Sequence, residues 1–407
     1  MNILNIQLPK NHFHSLLHFA QSENHNAYTN WHGDTAYENL CGIHTLTPED
    51  NTFLRTAEPM EMIAYMHKFI DYYNIDILQV ADPTKAWLHT FFHDQLKYIG
   101  PPESVARLET DKLYAKEMAE SVGIKTPRIL KQGKYFDNDY ANYSTFPTIE
   151  KPSHVWAPAV NIFNKDDCEH LIKLRSQGIP PRDTNADYFV EEYITDMIET
   201  NVFFVIANGE YRITHTQQII GEDENKSADP KVWYIGSYIQ PLKPEVDTIV
   251  REKAGLYLEE IAKMGGSYEG SFCGAYTSAG DWYFLEINVR PDIFNSTPTF
   301  MSADDYVKGY FEDINLFDKA WENKTCDKLL ITSLHKGEEY PFHLHQKYDV
   351  SIPNNLEYID NKFYVSGYGT DNEKGCGTII ADYNIPKEFV KEIEATTHWK
   401  FNEEPSG

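Results

Sequence analysis

The chain has 407 residues, of which 41% are hydrophobic and 14% aromatic, and 36 basic against 62 acidic side chains leave a formal charge of −26. That length and apolar content suffice for two or three domains with cores of their own. The acidic balance excludes a general duplex DNA or RNA binder, which needs clustered Lys and Arg against phosphate, so an anionic ligand must be met by individually placed cations.

In chain order, residues 1–8 predict a short strand and lack the basic stretch and long apolar core of a signal peptide. A helix is expected over 14–20, and another opens at Pro59 and runs through Met60, Ile63, Met66 and Ile70. Residues 75–81 then read as a buried strand, and this alternation favours an α/β domain with a parallel sheet that ends near Gly100. One helix is expected over about 104–122, with Gly123 at its C-terminal end, and an extended segment starts at Thr126 and Pro127. From 146 to 220, strand-like runs alternate with one helix near 166–176. Residues 245–265 look helical, with Pro244 as a start signal. Residues 270–276 and 283–289 pair as antiparallel strands around Ser278, Ala279, Gly280 and Asp281. From about Lys328 the chain is richer in strands, with apolar centres at 329–331, 363–365 and 378–380.

No apolar run reaches membrane-spanning length. The five cysteines, Cys41, Cys168, Cys273, Cys326 and Cys376, are scattered without a CxxC, and their odd number argues against a complete disulfide framework. A reducing cytoplasm is the expected location.

The chemistry concentrates on residues 285–291. Glu286, Asn288 and Arg290 occupy alternate positions of a strand and share one face, while Leu285, Ile287 and Val289 face a core. A carboxylate and an amide oxygen suit Mg²⁺, and a guanidinium suits phosphate or carboxylate. Three further signals precede this strand in a fixed order. They are Leu108-Glu109-Thr110-Asp111-Lys112, then Pro147-Thr148-Ile149-Glu150-Lys151-Pro152, then Phe189-Val190-Glu191-Glu192-Tyr193-Ile194 followed by Glu199. Each is weak alone, because a lone helical Lys is usually solvated and a strand carboxylate usually lies at the surface.

Taken together, and with Ile99-Gly100-Pro101-Pro102-Glu103-Ser104 ahead of them, the four signals resemble the ATP-grasp superfamily. The resemblance is greatest to its glycinamide ribonucleotide synthetase branch and runs over about 99–300, extending more faintly to both ends. It implies a multidomain α/β and α+β chain. Residues 1–100 would form an N-terminal Rossmann-like substrate domain, 101–325 the ATP-grasp domain with a mobile lid at about 125–192, and 326–407 a small β-rich C-terminal domain. Lys112 and Lys151 would reach the ATP phosphates as point charges. The hinge Glu191, Glu192, Tyr193 and Ile194 would read the adenine edge through its backbone, with the Glu191 carboxylate nearby, and Glu199 would accept from the ribose hydroxyls. Glu286 and Asn288 would hold Mg²⁺, a site that Mn²⁺ also suits. Arg290 would face the γ-phosphate or the acyl phosphate made from it, which with Lys151 makes the catalytic pair.

The implied reaction joins a small-molecule carboxylate to an amine through an acylphosphate, and needs no nucleophilic side chain. The expected carboxylate is an amino acid or similar acid; the expected assembly is a monomer or homodimer, with no general nucleic-acid binding and no membrane partner. Three departures from the family pattern bear on the substrate. Residues 7–14 contain no glycine where the branch has a glycine-rich phosphate loop, so phosphoribosylamine is not the expected amine. Trp233 and Tyr234 stand where small residues are usual, which points to a larger or aromatic-stacking acceptor. The loop 153–160 after Lys151 lacks Gly and contains Pro158, so it should be stiffer. The competing readings are a true phosphoribosylamine–glycine ligase and a non-catalytic ATP-binding regulator.

Other candidates have plainer readings. His14 and His18, near His12, read as an exposed helix face in preference to a zinc site. His343 and His345 are expected on one strand face, Cys376 in a turn, and Glu222, Asp223 and Glu224 in a solvated loop. Tyr268, Tyr276, Trp282 and Tyr283 are expected to pack beside the metal strand.

Overall fold

The computed structural model describes residues 1–6, 25–29, 43–45, 57–134, 146–153, 160–162, 164–176, 187–220, 237–291, 301–321, 328–331, 343–350, 358–359, 362–363, 379–382 and 385–396. The first strands, β1 (Asn2–Ile6), β2 (Asn26–Thr29), β3 (Ile43–Thr45), β4 (Ile77–Val80) and β5 (Lys97–Ile99), form a wholly parallel sheet in the order β3-β2-β1-β4-β5. Helix α1 (Pro59–Tyr73) covers one face of it. Its Met62, Ile63, Met66 and Phe69 pack on Leu4, Ile6, Leu78 and Val80. Proline at the helix start and Asn74 at φ 50° at its end bound this helix, as first-turn proline and left-handed C-termini do. The short helix α2 (His89–Phe92) follows a 3₁₀ turn capped by the Asp82 carboxylate.

The single helix expected over 104–122 is two, α3 (Glu103–Thr110) and α4 (Lys112–Ser121). Asp111 leaves helical geometry at φ −127°, ψ 86°, and its Oδ1 accepts from the Tyr114 N–H at 3.1 Å. This side-chain cap restarts the helix, and makes Lys112 the first residue of α4. Gly123, at φ 81°, closes α4 as expected.

A second sheet of four antiparallel strands follows. It consists of β6 (Ile129–Lys134), β7 (Thr148–Pro152), β8 (Val160–Ile162) and β9 (Asp187–Glu192) in the order β6-β9-β7-β8, with helix α5 (Lys165–Ser176) between β8 and β9. The third and largest sheet is built on the long hairpin β10 (Met197–Ala207) and β11 (Glu210–Ile220). It continues with β12 (Ser237–Pro241), helix α6 (Pro244–Lys263), β13 (Tyr268–Thr277) and β14 (Trp282–Asn288). Its seven strands run β14-β13-β10-β11-β12-β15-β18, where β15 (Lys328–Ile331) and β18 (Ile379–Asp382) come from the C-terminal quarter. These C-terminal strands therefore extend the central sheet; β16 (Tyr358–Ile359) and β17 (Lys362–Phe363) pair with each other.

The central sheet is covered on both faces. On one, α6 packs with α3 and α4 over Val202, Phe204, Tyr268, Phe272, Trp282, Phe284, Ile287 and Val289. On the other, Val205 and Ala207 meet α7 (Ala303–Phe311), α8 (Leu316–Trp321) and the back of the N-terminal sheet at Ile3, Ile77 and Ile99. A buried polar chain crosses this second junction. Asn5 Nδ2 donates to Gln79 Oε1 at 2.8 Å, Gln79 Nε2 donates to the Tyr306 hydroxyl at 3.0 Å, and that hydroxyl donates to Glu269 Oε1 at 3.0 Å.

Two further expectations are corrected. His343 and His345 do not share a strand face; they begin α9 (His343–Tyr348). Leu344 is buried, and the His345 ring lies 5.0 Å from Phe389 of α10 (Lys387–Thr396), so helix packing overrides the alternating His-Leu-His pattern. Leu285 also does not share the core face with Ile287 and Val289. Cys273 pairs with Glu286 and Gly274 with Phe284, which leaves Leu285 as an extra residue in a bulge. The bulge changes the parity of β14, so that Trp282 and Phe284 before it and Ile287 and Val289 after it all reach the same core. Tyr268 and Trp282 are buried as expected. The residues named above at 7–14, His18, 154–159, 222–224, 233–234 and Cys376 lie outside the described residues.

Candidate functional site

The charged groups converge where α4, the four-stranded sheet and the face of β13 and β14 turned away from the α6 core meet. Strand alternation and the bulge together aim Glu286, Asn288 and Arg290 away from the core. Across β13 the same face carries Ser271 and Cys273, in register with Asn288 and Glu286. It continues over β10 with Asn201 and Glu199, opposite Cys273 and Ala275, and reaches Gln217 of β11. Glu199 is therefore on the expected face, half-buried, at the end of the sheet away from Arg290.

Arg290 is held from below. Its Nε donates to Glu109 Oε1 at 2.7 Å, and the other Glu109 oxygen accepts the Val289 N–H at 2.8 Å. Arg290 Nη2 also donates to Asn288 Oδ1 at 3.2 Å. Glu109 is buried at the end of α3, so its charge is compensated by a guanidinium and a backbone amide together.

Lys151 projects from β7 and Glu191 from β9, on neighbouring strands of the small sheet. Lys116 projects from α4. The Glu191 carboxylate is fully buried and pairs with both, Oε2 with Lys116 at 2.8 Å and Oε1 with Lys151 at 2.9 Å. Burial alone would raise the Glu191 carboxyl, but the Lys151 and Lys116 ammonium groups outweigh it and hold it below the usual carboxylate range. Lys151 is opposed by burial and sustained by Glu191 and Glu286, which together keep it above the ordinary lysine value. For Lys116 burial wins over the attraction of Glu191, and its ammonium is pushed down. Lys112, one turn earlier on α4, is likewise lowered by burial, which the carboxylates of Glu286 and Glu109 only partly offset.

The structure thus brings Lys112, Lys151, Glu191, Glu286, Asn288 and Arg290 together. Glu191 differs from the expectation in its direction: its side chain turns into the lysines. Glu192 turns outward, where Oε1 accepts the Arg128 N–H at 3.0 Å, and Tyr193 and Ile194 leave the strand half-buried beyond it. Two site residues escaped the sequence reading. Lys116 follows Lys112 by four residues and so shares its helix face, a signal that was available. Glu109 lies 181 residues from Arg290, and no local pattern links them.

Chemically, the site offers three ammonium groups and a guanidinium around two metal-suited oxygens. Among the described residues no group of three or more His, Cys, Asp or Glu gathers to hold a metal. One carboxylate and one amide oxygen fit Mg²⁺, which keeps waters and takes its remaining ligands from phosphate.

No family model matches the chain. Over 223 residues it is 26% identical to a D-alanine–D-alanine ligase of Fusobacterium nucleatum, a match covering 54% of this chain and 69% of that protein. Its fold is similar to that of N5-carboxyaminoimidazole ribonucleotide synthetase in an ADP complex, with a TM-score of 0.65, 10% identity, and 97% of this chain and 96% of the other covered. An L-amino acid ligase from Bacillus licheniformis gives a TM-score of 0.63 at 12% identity, covering 99% of each chain. A phosphoribosylamine–glycine ligase from Thermotoga maritima gives 0.58 at 14% identity, covering 98% of each.

Proposed function

On the ATP-grasp fold that this chain has in common with those structures, we propose an ATP- and Mg²⁺-dependent ligase that joins an amino acid, or a similar carboxylate, to an amine other than phosphoribosylamine. The observation that carries the reading is the convergence of Lys112, Lys116 and Lys151 on the face formed by Glu286, Asn288 and Arg290. The polyphosphate of a nucleotide is the ligand that needs this many cations beside metal-suited oxygens.

Lys112 and Lys151 meet the phosphates, and Glu286 and Asn288 hold Mg²⁺, whose contribution is to neutralise phosphate charge. The strand end at Glu192, Tyr193 and Ile194 reads adenine, and Glu199 meets the ribose. Residues 125–192 act as the lid, residues 1–100 as the substrate domain, and residues 326–407 as a small β-rich C-terminal domain. A substrate carboxylate attacks the γ-phosphorus and releases ADP. Arg290, oriented by Glu109, steadies the acylphosphate until the amine displaces inorganic phosphate and forms the amide. The enzyme's share is position, charge and exclusion of water. The D-alanine–D-alanine ligase and the L-amino acid ligase among the similar proteins support an amino-acid substrate. The glycine-free stretch 7–14 supports an amine without a 5′-phosphate.

Incubation with Mg-ATP and pooled amino acids and amines, followed by mass spectrometry, tests this. Substrate-dependent ADP and phosphate that vanish in Lys151→Ala and Glu286→Gln are expected. AMP with pyrophosphate would refute the acylphosphate route, and efficient turnover of phosphoribosylamine with glycine would refute the substrate assignment.

A further inference from the structure

Lys116 and its partner belong to different parts of the fold. Lys116 is carried by α4, whose Ala115 and Ala119 are anchored in the core under the central sheet. Glu191 and Lys151 are carried by the four-stranded sheet. The 2.8 Å pair between Lys116 and Glu191 is therefore a buried tie between the small sheet and the body. A backbone bond lies beside it, from the Lys112 N–H to the Ser153 carbonyl at 3.1 Å. One carboxylate bridges both lysines, so their ammonium groups are neighbours by construction. An ammonium carries three donors, more than one carboxylate oxygen can take, so pairing with Glu191 is compatible with meeting a phosphate oxygen as well.

Resting on the ATP-binding reading above, we propose that Glu191 is a positioning residue, tying the small sheet to α4 and presenting Lys116 and Lys151 side by side to the phosphates of one nucleotide. Its role is then distinct from reading adenine. The groups facing Lys116 are Glu191 on β9, Lys151 on β7 and, at longer range, Glu286 on β14, with Lys112 one turn earlier on its own helix. Without Glu191 two like charges are left buried together. Lys116, already lowered by burial, is the one that gives up its proton, and the phosphates then meet a neutral amine.

The experiment is calorimetric titration of the full-length protein with Mg-ATP between about pH 7 and about pH 9.5. The unaltered protein should lose less affinity across this range than Glu191→Gln does. Glu191→Gln should bind about tenfold to a hundredfold more weakly at neutral pH, the size expected for losing charge-assisted bonds, and more weakly still as pH rises. Lys116→Met, which keeps the Glu191–Lys151 pair, should bind more weakly at every pH with a flat profile, and it decides the matter if Glu191→Gln does not fold. An unchanged affinity in Glu191→Gln, an equal weakening at all pH values, or an unchanged affinity in Lys116→Met overturns this inference alone. Failure of the unaltered protein to bind Mg-ATP overturns the ATP-binding reading beneath it.

Discussion

Glu109→Gln isolates the support beneath Arg290. The wild-type carboxylate accepts from two donors, the Arg290 Nε–H at 2.7 Å and the Val289 N–H at 2.8 Å, and is only 5% exposed. An isosteric amide can satisfy one of them and turns its own NH₂ toward the other, so a buried donor faces a donor. Losing one charge-assisted hydrogen bond is worth about 1.5–3 kcal/mol, and an orphaned buried donor adds about 1–3 kcal/mol. A net destabilisation of about 3 kcal/mol is expected, because part of the loss is relieved by small shifts. Hydrogen exchange read by mass spectrometry locates the effect. The amide of Val289 should exchange faster in Glu109→Gln, while peptides from α1 and β4 in the N-terminal sheet remain as protected as in the wild type. If the mutant is as stable as the parent and the Val289 peptide is unchanged, the carboxylate does not hold this strand end and the account of Arg290 fails.

Three other outcomes follow from the same reasoning. Gly270→Ala would drive a Cβ into the Asn288 carbonyl and the Phe204 ring; overpacking of this kind costs about 1–3 kcal/mol, and it should weaken Mn²⁺ binding measured by electron paramagnetic resonance because the Asn288 backbone must move. Tyr306→Phe removes the hydroxyl that links Gln79 to Glu269, so thermal stability should fall by about 1–3 kcal/mol, the cost of leaving the buried Gln79 amide donor without its acceptor; an unchanged melting temperature would show that the polar chain contributes nothing. Burial lowers His345 from 6.5 to about 4. Between those values the unfolded chain binds the extra proton, so stability should drop as pH falls from about 6.5 to about 4, and His345→Gln, followed by thermal unfolding against pH, should flatten that limb.

Local pattern carried the sequence reading a long way. Proline starts placed the helices at Pro59 and Pro244, and the hairpin around Gly280 set β13 beside β14. Alternation also put Glu286, Asn288 and Arg290 on one face. These features depend on dihedral preference and on periods of two or 3.6 residues, which are written in consecutive positions. The same local logic failed where packing chose between readings: at Leu285, where a bulge brings four large side chains into one core, and at His345, which a helix–helix contact turned away from a strand.

What sequence order could not contain was which charges would be partners. Glu109 under Arg290 and Glu191 between Lys116 and Lys151 are pairs formed across distant parts of the chain. A carboxylate on a strand end reads alike whether it faces solvent, adenine or two ammonium groups, because its local sequence is the same in each case. Its partner is selected when the sheets dock, since a buried charge must find its complement within hydrogen-bonding distance. Residue order was therefore enough to reveal a face of one carboxylate, one amide and one guanidinium, and the docking of the small sheet on α4 settled how the cations around it are held.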